Sequence, residues 1–515
     1  MTAVARAALV GVLVAAALAV GLAPWAHDLP SRDATGLEAP DDGYWTAPTR
    51  RLAGAGEQDD YDHDLALSLA LPQNALAAAA VALGVPYGGA RLAGSLLGAA
   101  VLAAVAALWL RGRRHLAGFA LLVTLATPPV LGHVLSDLGE GTALGLCALW
   151  ATAALGRRWT FAGAIAALAL SQKASGLALG LGTLVGVLAD PTGRATALRR
   201  AAVGVAAGLS CAVGLAVVVF GDAPVAFLLR PWTATHDTGA GSHGWGWLVQ
   251  AAFPGAHGVG ASWAPAALAV ATVAALAPAR RPSPAVLAAT VAAFLFAGTF
   301  PDPWRVLPAL PLLVATLVDD PHADRDASTA VRALPLVLAL AQVVGALAAA
   351  VATAKAAALV AVTVAAVVAV RGAGRWLVAR PRVRAVVLAL PLAWAVGASG
   401  HLFRAPATAR RALAAEVASR LPADASLVGY SFLSSAFRGR LYYPPFDTLW
   451  ADELARRAPT TLYRLRVPAG DVPPPGPAGY RVVRTDDLGA RLYNRELRAR
   501  PLVLDTLAPP PGAPR

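Results

Sequence analysis

Charge is the scarcest property of this sequence: 14% of its 515 residues are charged, against about a quarter in typical soluble domains. With 57% hydrophobic residues and a mean hydropathy of +0.58, that shortage excludes a single soluble globular protein and points to a chain that crosses a membrane many times. Lysine is nearly absent, at Lys173 and Lys355 alone, so arginine supplies almost all of the 43 basic residues. Cysteine is limited to Cys147 and Cys211, each inside an apolar block, which excludes a disulfide framework and a cysteine-based metal motif. A thiol so placed behaves as a small hydrophobe. Nor do the two halves of the chain repeat one another, as they do in many secondary transporters.

What fills the chain is alanine, leucine and valine, in long blocks separated by short arginine-bearing breaks. A crossing needs about 20 apolar residues to span about 30 Å of hydrocarbon. Candidate spans lie near 8–26, 92–110, 116–133, 141–155, 160–171, 175–189, 201–220, 262–278, 284–299, 306–318, 333–352, 356–370 and 385–399, which predicts a mainly α bundle of about thirteen transmembrane helices. The net charge of +13 does not mark a nucleic-acid partner, because the arginines occupy alternate breaks: Arg111 to Arg114, Arg157 and Arg158, Arg194 to Arg200, Arg280 and Arg281, Arg325 and Arg332, and Arg371 to Arg384. Arginine excess anchors cytoplasmic loops in the lipid bilayer. The N-terminus is then inside a bacterial cytoplasmic membrane, and an odd number of spans places everything beyond Gly400 outside. The first block also fits a cleaved signal peptide, given its short basic start and small closing residues.

Residues 27–91 form a long first extracytoplasmic loop, acidic and punctuated by proline and glycine. Its apolar run from Leu65 to Gly84 reads as helix along the membrane surface, and loops of this length are functional or disordered. The tail differs in composition. An amphipathic helix at Arg410 to Arg420, strands near Ser426 to Tyr430, Arg440 to Tyr443, Thr460 to Leu465 and Tyr480 to Val483, and a helix at Leu449 to Arg457 predict a small extracytoplasmic α/β domain over 401–505. Residues 506–515 read as a disordered tail.

Chemistry-bearing residues concentrate on the outer side. In Pro40-Asp41-Asp42-Gly43-Tyr44, two adjacent acids at the membrane surface are either solvated loop charges or a candidate base. In an extended segment their side chains point to opposite faces, so one enters a site while the other acts on it as a nearby like charge. The stretch from Glu57 to Asp64 offers oxygen and imidazole donors suited to a divalent cation, with Asp60, Asp62 and His63 the candidate ligands. Its spacing matches no standard metal loop, and a solvated surface is the alternative; nothing in the chain requires a cofactor. Lys173 lies between two spans on the outer side, where no anchoring role exists. A charge at membrane depth costs about 2.5–3.5 kcal/mol on insertion scales and so marks a functional site, unless it snorkels to the headgroups. Arg230, among the tryptophans of the 222–263 loop, and Arg305, with Asp302 as a near neighbour, stand at the same boundary. Fixed cations of this kind stabilise an oxyanion in a dry site.

Taken in order, these parts resemble the GT-C polytopic glycosyltransferases of the protein O-mannosyltransferase and lipid A aminoarabinose transferase type. Asp41-Asp42-Gly43-Tyr44 looks like that family's acidic motif after the first helix, Asp60 to His63 like its Asp-x-His element, and Ala167 to Gly176 like its lysine-bearing turn. Arg305 to Pro311 is similar to its arginine and proline helix, and the tail to its outer α/β domain. The chain departs from the pattern in having Asp42 for a glutamate and Asp64-Leu65 for a proline pair. The resemblance implies transfer of a hexosyl or pentosyl group from a polyprenyl-phosphate donor to a hydroxyl of a glycan, lipid or protein acceptor, with inversion. It implies Asp41, with Asp42 second, as general base, Lys173 and Arg305 on the departing phosphate, and Tyr44, Asp62, His63 and Arg230 in substrate binding. A secondary transporter or flippase for lipid-linked sugar is the alternative, one that the long first loop and large tail serve poorly.

Overall fold

The computed structural model describes residues 2–21, 49, 70–111, 114–134, 139–191, 193–220, 263–276, 281–298, 306–320, 329–349, 356–402 and most of 410–509. The apolar blocks form helices where the sequence predicts them, since in hydrocarbon a lone segment satisfies its backbone polar groups only within itself. After α1 (Ala3–Gly21) and the first loop come α2 (Leu71–Ala82), the short α3 (Tyr87–Ala90) and α4 (Ala93–Trp109). Next are α5 (His115–Ala126), α6 (Pro128–Val134), α7 (Glu140–Leu155), α8 (Trp159–Gln172), α9 (Leu177–Leu188) and α10 (Arg194–Phe220). The bundle closes with α11 (Ala264–Leu276), α12 (Pro284–Gly298), α13 (Ala309–Ala315), α14 (Thr329–Ala349), α15 (Ala356–Val378) and α16 (Pro381–Leu402).

Several expectations change. Among the described residues, four stretches have the length and composition of a straight crossing, Ala3–Gly21, Tyr87–Trp109, Arg194–Val218 and Pro381–Gly400; a count of thirteen crossings does not follow from helix length. The span expected at 116–133 is bent by 69° between α5 and α6, because Pro128 and Pro129 can open a helix but not continue one. The span expected at 306–318 contains only the seven-residue α13, buried throughout and packed against α5, α7 and α12, so it is a core element and not a lipid-facing helix. The arginine cluster expected as a loop begins inside α15, which runs on to Val378.

The helices meet through small residues, as packing in lipid requires. A Cβ on Gly98 of α4 would stand 1.9 Å from the Gly141 carbonyl oxygen of α7, and one on Gly145 would stand 2.7 Å from the Gly98 Cα. Trp150 is fully buried and donates its indole N–H to Thr183 Oγ1 at 3.0 Å, tying α7 to α9.

At one end of the bundle Arg157, expected as a headgroup anchor, instead points inward. Its guanidinium lies 3.5 Å from Asp190 and 3.6 Å from Asp320, both buried, and Trp159 donates to Asp190 as well. The Asp320 N–H bonds the Arg281 carbonyl at 2.9 Å. One cation thus joins the α7–α8 turn to the segments after α9 and α13. Removing one partner of a buried ion pair costs about 3–5 kcal/mol. Arg157→Ala is therefore expected to lower the unfolding temperature of the detergent-solubilised protein.

Beyond α17 (Arg410–Arg420) lies a five-stranded mixed sheet of β1 (Ser426–Val428), β2 (Arg440–Tyr442), β3 (Leu462–Arg466), β4 (Arg481–Tyr493) and β5 (Ala499–Ala508), in the order β2-β1-β3-β5-β4. Leu413 and Val417 of α17, with Leu421 just beyond it, pack on Leu427, Leu441, Leu465 and Leu504 of the sheet. The helix expected at 449–457 falls mostly outside the described residues. Strand β5 is a correction: Thr506, Leu507 and Ala508, expected in a disordered tail, pair with β3 and β4, and Leu507 is fully buried. Its placement is explained by Asp505, which is fully buried and accepts hydrogen bonds from Arg464, Arg466 and Thr485. Burial alone would raise the Asp505 pKa; the hydrogen bonds from Arg466, Thr485 and Arg464 outweigh it and hold the carboxyl below its ordinary 3.8. A depressed carboxyl pKa adds stability above the unfolded value, and that stability is lost as pH falls through the folded one. Asp505→Asn is expected to reduce stability at neutral pH and to converge with the wild type only as pH falls below 3.8 through the depressed folded value, read from thermal unfolding across acid pH.

Candidate functional site

A polar cluster is buried at the end of the bundle opposite Arg157. Helix α8 stops at Gln172, and Lys173 is extended (φ −156°, ψ 151°) before a 3-10 turn over Ala174–Gly176. That single extended residue turns the lysine out of the helix line and toward the start of α7. There Gly139, at φ +87°, leads into Glu140, the first residue of the helix. A carboxylate at a helix N-terminus is favoured by the unpaired backbone N–H groups and the dipole.

Lys173 and Glu140 are 5% and 1% exposed and joined through Lys173 Nζ and Glu140 Oε1. Glu140 Oε2 has His133 Nδ1 at 3.6 Å and no hydrogen-bond donor among the described residues. His133 is itself 1% exposed, in the last turn of α6. Snorkelling of Lys173 to the headgroups is thereby excluded. A buried acceptor without a donor costs about 1–3 kcal/mol, and the His133 imidazole faces Glu140 Oε2 at 3.6 Å.

Around this pair lies a shell of uncharged polar groups. Gln73 and Gln172 face one another, Gln172 Nε2 also donates to the Gly139 carbonyl at 3.2 Å, and Thr142 Oγ1 donates to Gln73 Oε1 at 3.2 Å. Gly139 has no room for a side chain: a Cβ there would lie 2.8 Å from Lys173 Cε and 3.0 Å from Gln172 Nε2, on a backbone that disfavours any L side chain. Gly139→Ala is accordingly expected to displace Lys173 and to lower the unfolding temperature of the purified protein by overpacking, which costs about 1–3 kcal/mol.

Of the sequence-predicted site residues, only Lys173 belongs to the described part. Asp41, Asp42, Tyr44, Asp60, Asp62, His63, Arg230 and Arg305 lie outside it, and no group of three metal-ligating side chains occurs among the described residues. Thr49 donates to Asn74 Oδ1 at 3.0 Å, which fixes the first loop to α2 next to Gln73. Asp42 precedes Thr49 by seven residues, a tether of at most about 25 Å. Sequence reasoning missed Glu140, His133, Gln73 and Gln172. The signal for Glu140 was present, since an acid between two glycines opens an otherwise apolar helix, and the membrane-depth argument applied to Lys173 applies equally there.

No protein-family model and no curated protein sequence matches the chain. Solved structures do. ArnT from Cupriavidus metallidurans, bound to undecaprenyl phosphate, superimposes with a TM-score of 0.51 at 18% identity, over 96% of this chain and 97% of that one. The apo form of the same protein gives 0.50 at 18% identity over the same shares. The chain therefore shares its fold with that protein.

Proposed function

We propose that this chain is a membrane glycosyltransferase that takes a sugar from a polyprenyl-phosphate donor and passes it to an acceptor hydroxyl at the extracytoplasmic face. The observation that carries the reading is the buried Lys173–Glu140 pair with its donor-less carboxylate oxygen, within a fold that in the Cupriavidus protein is bound to undecaprenyl phosphate. Arginines gather at the other end of the bundle, which supports placing the Lys173 end outside and the N-terminus inside. Ala70 supports the same side for the C-terminal domain, because it hydrogen-bonds Gln172 and packs in the core of α17 and the sheet.

In this mechanism a carboxylate takes the proton of the acceptor hydroxyl as its oxygen attacks the anomeric carbon. The bond from that carbon to the lipid phosphate oxygen breaks in the same displacement, with inversion, and the electron pair leaves on the phosphate. Asp41 is the base, with Asp42 second. Glu140 Oε2 receives a substrate hydroxyl, while Oε1 holds Lys173 in place. The Lys173 ammonium has three donors, one of which serves Glu140, and together with Arg305 it stabilises the departing phosphate. Tyr44, Asp62, His63 and Arg230 complete the substrate site. The test is sugar release from a polyprenyl-phosphate sugar by full-length protein in nanodiscs with membrane-extract acceptor. Asp41→Asn is expected to lower turnover with donor affinity retained. Full activity in both Asp41→Asn and Asp42→Asn would falsify the base assignment, and failure of the wild type to bind undecaprenyl phosphate would remove the donor reading.

A further inference from the structure

Lys173 and Glu140 are 33 residues apart, one just past the end of α8 and the other at the start of α7, so something other than local chain geometry must set how they meet. Gln172 is placed to do it. Its backbone carbonyl, left over at the end of α8 as helix-end carbonyls are, accepts the Ala70 N–H at 2.9 Å. Its side-chain oxygen accepts the Gln73 N–H at 3.2 Å. Its side-chain nitrogen donates to Gln73 Oε1 at 3.4 Å and to the Gly139 carbonyl at 3.2 Å. Gln73 Oε1 in turn accepts Thr142 Oγ1. Both glutamines are fully buried, where an amide left without partners is costly.

These contacts join three pieces that the proposed chemistry needs together: the exit of the first loop at Ala70 to Gln73, the residue before Glu140, and the residue before Lys173. Ala70 holds a left-handed conformation, φ 58°, unusual for alanine. Its N–H to the Gln172 carbonyl fixes that turn at the point where the loop enters α2.

We propose that Gln172 and Gln73 are positioning residues, a reciprocal amide pair that sets Lys173 against Glu140 and holds the exit of the first loop beside them. The inference rests on the donor-phosphate role given above to Lys173. Gln172 touches neither donor nor acceptor; it acts through Lys173.

The experiment is titration of full-length protein in nanodiscs with undecaprenyl phosphate, alongside thermal unfolding of each variant. Gln172→Leu is expected to weaken binding roughly tenfold, the equivalent of one charge-assisted hydrogen bond. Gln73→Leu is expected to do the same, and the double variant to be no worse than either single one, since the pair acts as a unit. In a Lys173→Ala background Gln172→Leu is expected to add nothing. Additive losses in that background, or unchanged affinity in both single variants while Lys173→Ala abolishes binding, overturn the proposal and leave the donor reading standing. Loss of unfolding temperature with affinity intact assigns the pair to stability alone and also overturns it. Absence of binding by the wild type, or no effect of Lys173→Ala, overturns the premise and the proposal together.

Discussion

Lys173→Met is expected to abolish sugar transfer, by at least about 100-fold, the scale on which single electrostatic stabilisers act. The same change strands the Glu140 carboxylate at 1% exposure, and breaking a buried pair costs about 3–5 kcal/mol. Activity and stability therefore fall together, and a second variant is needed to separate them. Replacing a buried pair by apolar groups of similar volume is often neutral or stabilising, so Lys173→Met/Glu140→Leu is expected to recover the unfolding temperature without recovering transfer. Turnover of a polyprenyl-phosphate sugar and detergent-phase unfolding give the two readouts. Recovery of transfer in the double variant would show that the pair serves structure only.

Gly98→Val is expected to have the largest effect on folding. Its first added carbon alone would stand 1.9 Å from the Gly141 carbonyl oxygen, a backbone atom that no rotamer change can move. Overpacking usually costs about 1–3 kcal/mol where side chains can give; here α4 and α7 must separate, and with them the helix that begins at Glu140. The expected result is loss of the monodisperse peak in detergent size-exclusion chromatography, with Gly98→Ala intermediate. Gly180→Ala on α9 is the control, because a Cβ there meets nothing within 4 Å. A folded, monodisperse Gly98→Val protein would contradict the close helix crossing.

The C-terminal sheet shows what sequence patterns conveyed and what they did not. Strands β1, β2 and β3 and the start of β4 coincide with predicted runs, because apolar and polar residues alternate there and turn residues bound them. Strand β5 carries Arg500 and Pro501 and runs into three consecutive prolines, so it reads as a fraying end. Its inclusion depends on pairing with β3 some forty residues away and on Asp505 meeting Arg464 and Arg466, neither of which a local pattern contains.

The bundle divides in the same way. Composition and local pattern were enough to show that the chain is membrane-embedded, where most helices begin and end, and that Lys173 is an exceptional charge. Each of these follows from local composition, since a segment in hydrocarbon satisfies its own backbone and a buried charge is costly wherever it lies. What Lys173 touches emerges from the packing of the helices. The antiparallel α7–α8 hairpin brings residues 140 and 173 to one end and residue 157 to the other. Glycines at 98, 139 and 141 allow the backbones to close on them, and two glutamines hold the join. Contacts between helices in lipid depend on shape and hydrogen bonding more than on hydrophobicity, which is alike on every face.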